Sequence, residues 1–120
     1  MCEEQILNNS ETSEAMSGVA PLRSELVDDP DMLELVDLFV GELPDRIQAI
    51  AAALETHDTD SVTRLAHQLK GAGGGYGYPK ITEDAAALER AARDGVEPEQ
   101  LRSCFDALSL TCHRATLTVA

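Results

Sequence analysis

The sequence predicts an all-α fold, an antiparallel up-down-up-down four-helix bundle preceded by a flexible N-terminal tail. Three observations lead there. Apolar residues recur at three- and four-residue steps in four successive segments, the spacing of one helical face. The segments open at proline or aspartate and are separated by only a few residues, so that neighbours must pack antiparallel. Tryptophan is absent and aromatic residues are 3% of the chain, which leaves leucine, isoleucine, valine and many alanines to build the core, a composition suited to closely packed helices. At 120 residues the chain is long enough for one domain with a real core and too short for two.

Residues 1–20 carry Glu3, Glu4, Glu11 and Glu14, no basic residue and a Ser/Asn/Thr-rich middle. Such a segment buries too little apolar surface to offset the entropy of ordering, so a disordered acidic tail is expected over 1–20 and the bundle over 21–120. Pro21 to Val27 is long enough only for a short capping turn.

The first helix opens at Asp28-Asp29-Pro30, where an aspartate can cap exposed N–H groups and proline fits the first helical position. Leu33, Val36, Val40, Leu43, Ile47, Ile50 and Leu54 then step by three and four, the heptad-like register of a helix packed in a bundle. Pro44 falls inside that series. An interior proline costs a helix about 3 kcal/mol, yet the stripe keeps its phase through it, so the expectation is one helix over 30–56 bent near Pro44, with two helices joined there as the alternative.

Asp58 or Thr59 can cap a second helix that should end at Gly77, a glycine placed for the left-handed conformation, with Pro79 behind it. A third helix, about 79–94, carries Ile81, Ala85, Leu88 and Ala92 on one face, a charged opposite face, and stops at Gly95. The fourth begins near Pro98, buries Leu101, Phe105, Leu108, Cys112 and Ala115, and frays toward Ala120.

Composition narrows the function. A net charge of −13 with no basic cluster excludes nucleic-acid and anionic-membrane binding, because a phosphate backbone would be repelled. The chain has neither a secretory leader pattern nor an apolar run of transmembrane length, and Cys2, Cys104 and Cys112 show no CxxC pairing. A cytoplasmic, monomeric protein with reduced thiols is expected.

The stretch from Leu65 to Gly77 holds one histidine, one lysine and five glycines in otherwise helix-forming sequence. Each interior glycine costs roughly 1 kcal/mol relative to alanine, so the bare backbone should serve a purpose. With Val62, Leu65, Ala66, Leu69, Ala72, Gly73 and Tyr76 facing the core, the opposite side carries Asp60, Thr63, Arg64, His67, Lys70, Gly71, Gly74 and, near the end, Tyr78. Lys70 and Gly71 lie one turn beyond His67. A neutral imidazole is a competent nucleophile and an adjacent ammonium can neutralise charge on a transferred group, while Gly71 and Gly74 remove side chains that would hold a partner away. Against this stands the plainer reading that His67 is simply solvated and the glycines allow close helix approach, as Gly73 on the core side should. The glycines match neither GxGxxG nor a P-loop, since Lys70 precedes them. His57 and His113 have no metal-ligand spacing to His67 or the cysteines, so no metal site is expected.

The segment Ala66-His67-Gln68-Leu69-Lys70-Gly71-Ala72, followed by Gly77, resembles the signature of histidine-containing phosphotransfer (HPt) domains, in which histidine is followed by any residue, an aliphatic, lysine, glycine and a small residue. The resemblance extends from Asp29 to Thr118 and includes Phe39 in the preceding helix. Gly73, Gly74 and Gly75 exceed the small residues such a signature carries. The resemblance implies a phosphorelay intermediate in which His67 accepts a phosphoryl group, Lys70 stabilises it and Gly71 gives a receiver domain room to dock, with Thr63, Arg64, Gln68 and Gly74 completing the docking face. It implies receiver-domain and hybrid histidine kinase partners, Mg2+ supplied by the receiver rather than by this chain, and no ATP-binding or autokinase activity. A non-catalytic helical interaction module of the same fold is the alternative.

Overall fold

Asp29 and Pro30 start the first helix as their chemistry dictates. In the computed structural model, which describes residues 20–26 and 28–117, the Asp29 side chain accepts from the Asp31 N–H and Pro30 occupies the first turn of α1 (Pro30–Glu55). α1 is one continuous helix with Pro44 inside it, so the two-helix alternative is not realised. Val36, Phe39, Leu43, Ile50 and Ala53 are buried along its inner face, with Val40, Ile47 and Leu54 partly buried against them. Leu33 departs from the expected stripe and is 37% exposed, while Met32 packs on the core instead. The alternating three-four register has a period of 3.5, and a helix of 3.6 residues per turn drifts from it by about 20° per heptad, which carries Leu33 toward the edge of the stripe while Met32, four residues before Val36, lies over the inner face.

Asp58 caps α2 (Thr59–Gly75), accepting from the Ser61 N–H at 3.1 Å and its hydroxyl at 2.7 Å. Those two bonds, aided by nearby Arg64, hold the Asp58 carboxyl below the usual carboxylate range. Val62, Ala66, Leu69 and Gly73 are buried and Leu65, Ala72 and Tyr76 half-buried, as the register requires. Gly77 turns the chain with φ +85°, beyond the cap residue Tyr76. Tyr78 was expected on the outward row and is instead 2% exposed. The helix has already ended at Gly75, so helical phase no longer governs position 78; the left-handed Gly77 swings Tyr78 inward, where its N–H donates to the Gly73 carbonyl at 2.8 Å and its ring packs near Phe39.

α3 (Pro79–Asp94) buries Ile81, Ala85, Leu88 and Ala92 and ends at the left-handed Gly95. α4 (Pro98–Thr116) buries Leu101, Phe105, Leu108, Cys112 and Ala115. Connections of three residues join successive helices, and each helix packs on two others in a closed ring: α1 on α2 and α4, α3 on α2 and α4. The all-α four-helix bundle is therefore the observed fold. Leu43, Leu69, Ile81, Leu88 and Leu108 are fully buried, each contributing about 1.5–3 kcal/mol of transfer free energy.

Two features fix how the site is presented. α2 and α3 approach closely at Gly73, where an added Cβ would lie 3.0 Å from both Ile81 Cγ2 and Thr82 Oγ1. Nearby, the Thr82 hydroxyl donates to the Lys70 carbonyl at 2.8 Å and ties the two helices together. The segment ahead of α1 clasps one end of the bundle: Leu22 N–H donates to the Arg114 carbonyl, the buried Ser24 hydroxyl to the Tyr76 carbonyl at 2.6 Å, and Glu25 N–H to the Gly77 carbonyl. The acidic tail expected over 1–20 lies outside the described residues apart from Ala20, as does the fraying expected over 118–120.

Candidate functional site

His67 stands on the outer face of α2 with 65% of its side chain exposed. Its Nδ1 lies 3.0 Å from Oε2 of Glu89 on α3. Glu89 is only 4% exposed, and its carboxylate also receives the Lys70 ammonium at 2.8 Å on Oε1 and the Arg93 guanidinium on Oε2. A buried carboxylate shared by two cations and an imidazole is the arrangement that satisfies such a charge inside a protein. The Lys70 hydrogen bond is the largest influence and, with those of His67 and Arg93, outweighs burial, lowering the Glu89 carboxyl from 4.5 to about 2.

An ionised carboxylate can only accept, so Glu89 requires a proton on Nδ1 of His67 and leaves Nε2 as the nitrogen with a free lone pair. The ring is held by one nitrogen and presents the other. Sequence reasoning placed α3's charged residues on its solvent face and missed this carboxylate. The signal was present: Ile81, Ala85 and Glu89 step by four on the buried face, and an acid at a core position needs cations near it.

The expected site residues divide into two groups. Thr63, Arg64 and Gln68 line a groove of about 730 Å³ with His67, Glu89 and Arg93, between α2 and α3. The Thr63 hydroxyl donates back to the Thr59 carbonyl at 2.9 Å. Gly71 and Gly74 lie further along α2, outside that groove. Gly71 is exposed, with nothing within 4 Å of a would-be Cβ, whereas at Gly74 that Cβ would touch Thr82 Oγ1 at 3.4 Å. Gly71 thus leaves open surface one turn beyond the imidazole. Among the described residues no cluster of three or more His, Cys, Asp or Glu is placed to hold a metal.

A family model described as the Hpt domain matches residues 34–115, most of the chain and all of this site. The chain belongs to the Hpt domain family. Neither the curated proteins nor the solved structures yield a match. Hpt domains carry phosphoryl groups in two-component signalling, without kinase activity of their own, and interact there with receiver domains and kinases. In this Hpt domain no described helix is long and apolar enough to cross a membrane.

Proposed function

We propose that this Hpt domain is a phosphorelay intermediate in which Nε2 of His67 takes a phosphoryl group from a receiver-domain aspartate and passes it to another receiver. The observation that carries the reading is the buried Glu89 carboxylate on Nδ1 of the exposed His67. In the forward step the acyl-phosphate O–P bond of the donor aspartate breaks, its carboxylate leaves, and an N–P bond forms at Nε2. The Nδ1 proton stays on the ring against Glu89, so the positive charge that develops on the imidazole faces a fixed negative one. The return step reverses this and regenerates the neutral ring.

Phosphoryl transfer is mostly positioning and charge neutralisation. This chain supplies the nucleophile, cations and a docking surface. Lys70 stands beside the ring as a stabiliser of the phosphoryl group, and Thr63, Arg64, Gln68, Gly71 and Gly74 form the receiver docking face. Mg2+ and the acidic pocket belong to the receiver. A hybrid histidine kinase is the upstream partner, and this chain, a cytoplasmic monomer, neither binds ATP nor phosphorylates itself.

Incubation with a panel of phosphorylated receivers should give an acid-labile, alkali-stable phosphoryl adduct that is absent from His67→Gln. Absence of transfer from every receiver, with the protein folded, would refute the relay and leave a helical interaction module.

A further inference from the structure

Resting on the reading that His67 carries a phosphoryl group, we infer that Arg64 is the residue that binds the phosphoryl oxygens within the groove between α2 and α3. A phosphoryl group of this kind brings a charge of about −1.5 to −2. Lys70 and Arg93 both bind the Glu89 carboxylate, so those three groups together leave a single positive charge beside the imidazole. That charge and the one developing on the imidazole balance the phosphoryl group, but Lys70 and Arg93 are held by Glu89, and the phosphoryl oxygens still need a donor; Arg64 is the cation in the groove not bound to Glu89.

Arg64 is exposed and makes no hydrogen bond or ion pair among the described residues. Its electrostatic neighbour is Asp58, whose carboxylate already accepts two hydrogen bonds from Ser61. Position favours it as well. Helical side chains lean toward the N-terminal end, so the His67 ring covers the preceding turn, which carries Thr63 and Arg64, rather than the following turn with Gly71. With Nδ1 fixed on Glu89, Nε2 is the nitrogen left for the phosphoryl group, and Arg64 and His67 line the same groove. A guanidinium offers planar, paired donors for two phosphoryl oxygens, which the Lys70 ammonium cannot offer while it is bound to Glu89.

Potassium phosphoramidate separates this inference from the relay itself because it needs no receiver. Its N–P bond breaks, ammonia leaves, and an N–P bond forms at Nε2 of His67 with Nδ1 still protonated. The readouts are the labelling rate and the pH titration of the 31P signal of the adduct. The charged groups facing the adduct are Asp60 and Lys70 on α2 with Glu89 and Arg93 on α3, and they are unchanged in Arg64→Gln and Arg64→Lys.

Arg64→Gln should fold as the wild type does, slow labelling about tenfold or more, and raise the 31P titration midpoint by about one pH unit. Arg64→Lys should recover most of the shift. An Arg64→Gln adduct that forms and titrates like the wild type overturns the inference and leaves the relay standing, and so does a midpoint moved by Lys70→Gln but not by Arg64→Gln. A wild-type protein that takes no label, or takes it equally in His67→Gln, overturns the phosphoacceptor reading and this inference with it.

Discussion

Glu89→Gln tests the centre of the site because it removes one charge and almost no volume. In the folded protein the Glu89 carboxyl is lowered from 4.5 to about 2, which at about 1.4 kcal/mol per pH unit corresponds to about 3 kcal/mol of interaction with the ionised form. The sign follows from proton counting. Between the two values the unfolded chain binds the proton and the folded chain does not, so stability is fully present above about 4.5 and is lost as pH falls toward about 2. At neutral pH, Glu89→Gln should be less stable than the wild type by about 1–3 kcal/mol, the lower figure applying where the amide keeps one hydrogen bond. Urea unfolding followed by helical circular dichroism at pH 7, 5 and 3 would measure both curves. The gap between them should close as pH falls, since the wild-type carboxyl becomes neutral too. Parallel curves with a constant gap would show that Lys70, His67 and Arg93 do not hold the carboxylate, and the orientation argument for Nε2 would fail with them.

Three further outcomes follow from the packing. Gly73→Ala should lose about 1–3 kcal/mol by forcing α2 away from Ile81 and Thr82, whereas Gly75→Ala, whose Cβ would meet nothing within 4 Å, should gain up to about 1 kcal/mol; denaturant unfolding of the pair giving equal effects would contradict the close approach. His57 sits at φ +58° in the turn between α1 and α2, so His57→Gly should raise stability by about 0.5–1 kcal/mol, and a lowered melting temperature would refute strain there. Burial, reinforced by Asp84, pushes the Cys112 thiol up to about 12, so in a Cys2→Ser/Cys104→Ser background it should resist a thiol reagent at pH 8 until the protein unfolds; rapid labelling of the native state would mean that the core opens beside α4.

Much of this architecture can be read from residues with local consequences. Asp29, Asp58 and Gly95 act through hydrogen bonds and backbone angles within a few residues of themselves, and each bounds a helix where its chemistry says it should. His67 and Lys70 were legible because the apolar stripe of α2 fixes which way its other face points. Glu89 was not, because its role exists only across the contact between α2 and α3, twenty-two positions away in sequence. Tyr78 shows a related failure, in which helical phase was carried past the helix end at Gly75 and through the left-handed Gly77, which turns Tyr78 in against Phe39 of α1. In both cases the missing information was how two helices meet, which the period of either one alone does not contain.

The clasp formed by Leu22, Ser24 and Glu25 has a mechanical consequence. A pull on the chain ahead of Ala20 is taken up by hydrogen bonds to Arg114, Tyr76 and Gly77 before it reaches the first turn of α1. Like the strain relief on a cable, these bonds isolate α1 from whatever is attached upstream. Those on Tyr76 and Gly77 sit about ten residues along the chain from His67, roughly 15 Å at the helical rise of about 1.5 Å per residue. Tension or a bulky fusion at that end is therefore borne at a distance from the imidazole, which makes residues ahead of Ala20 the place to attach a label or a tether for measuring transfer.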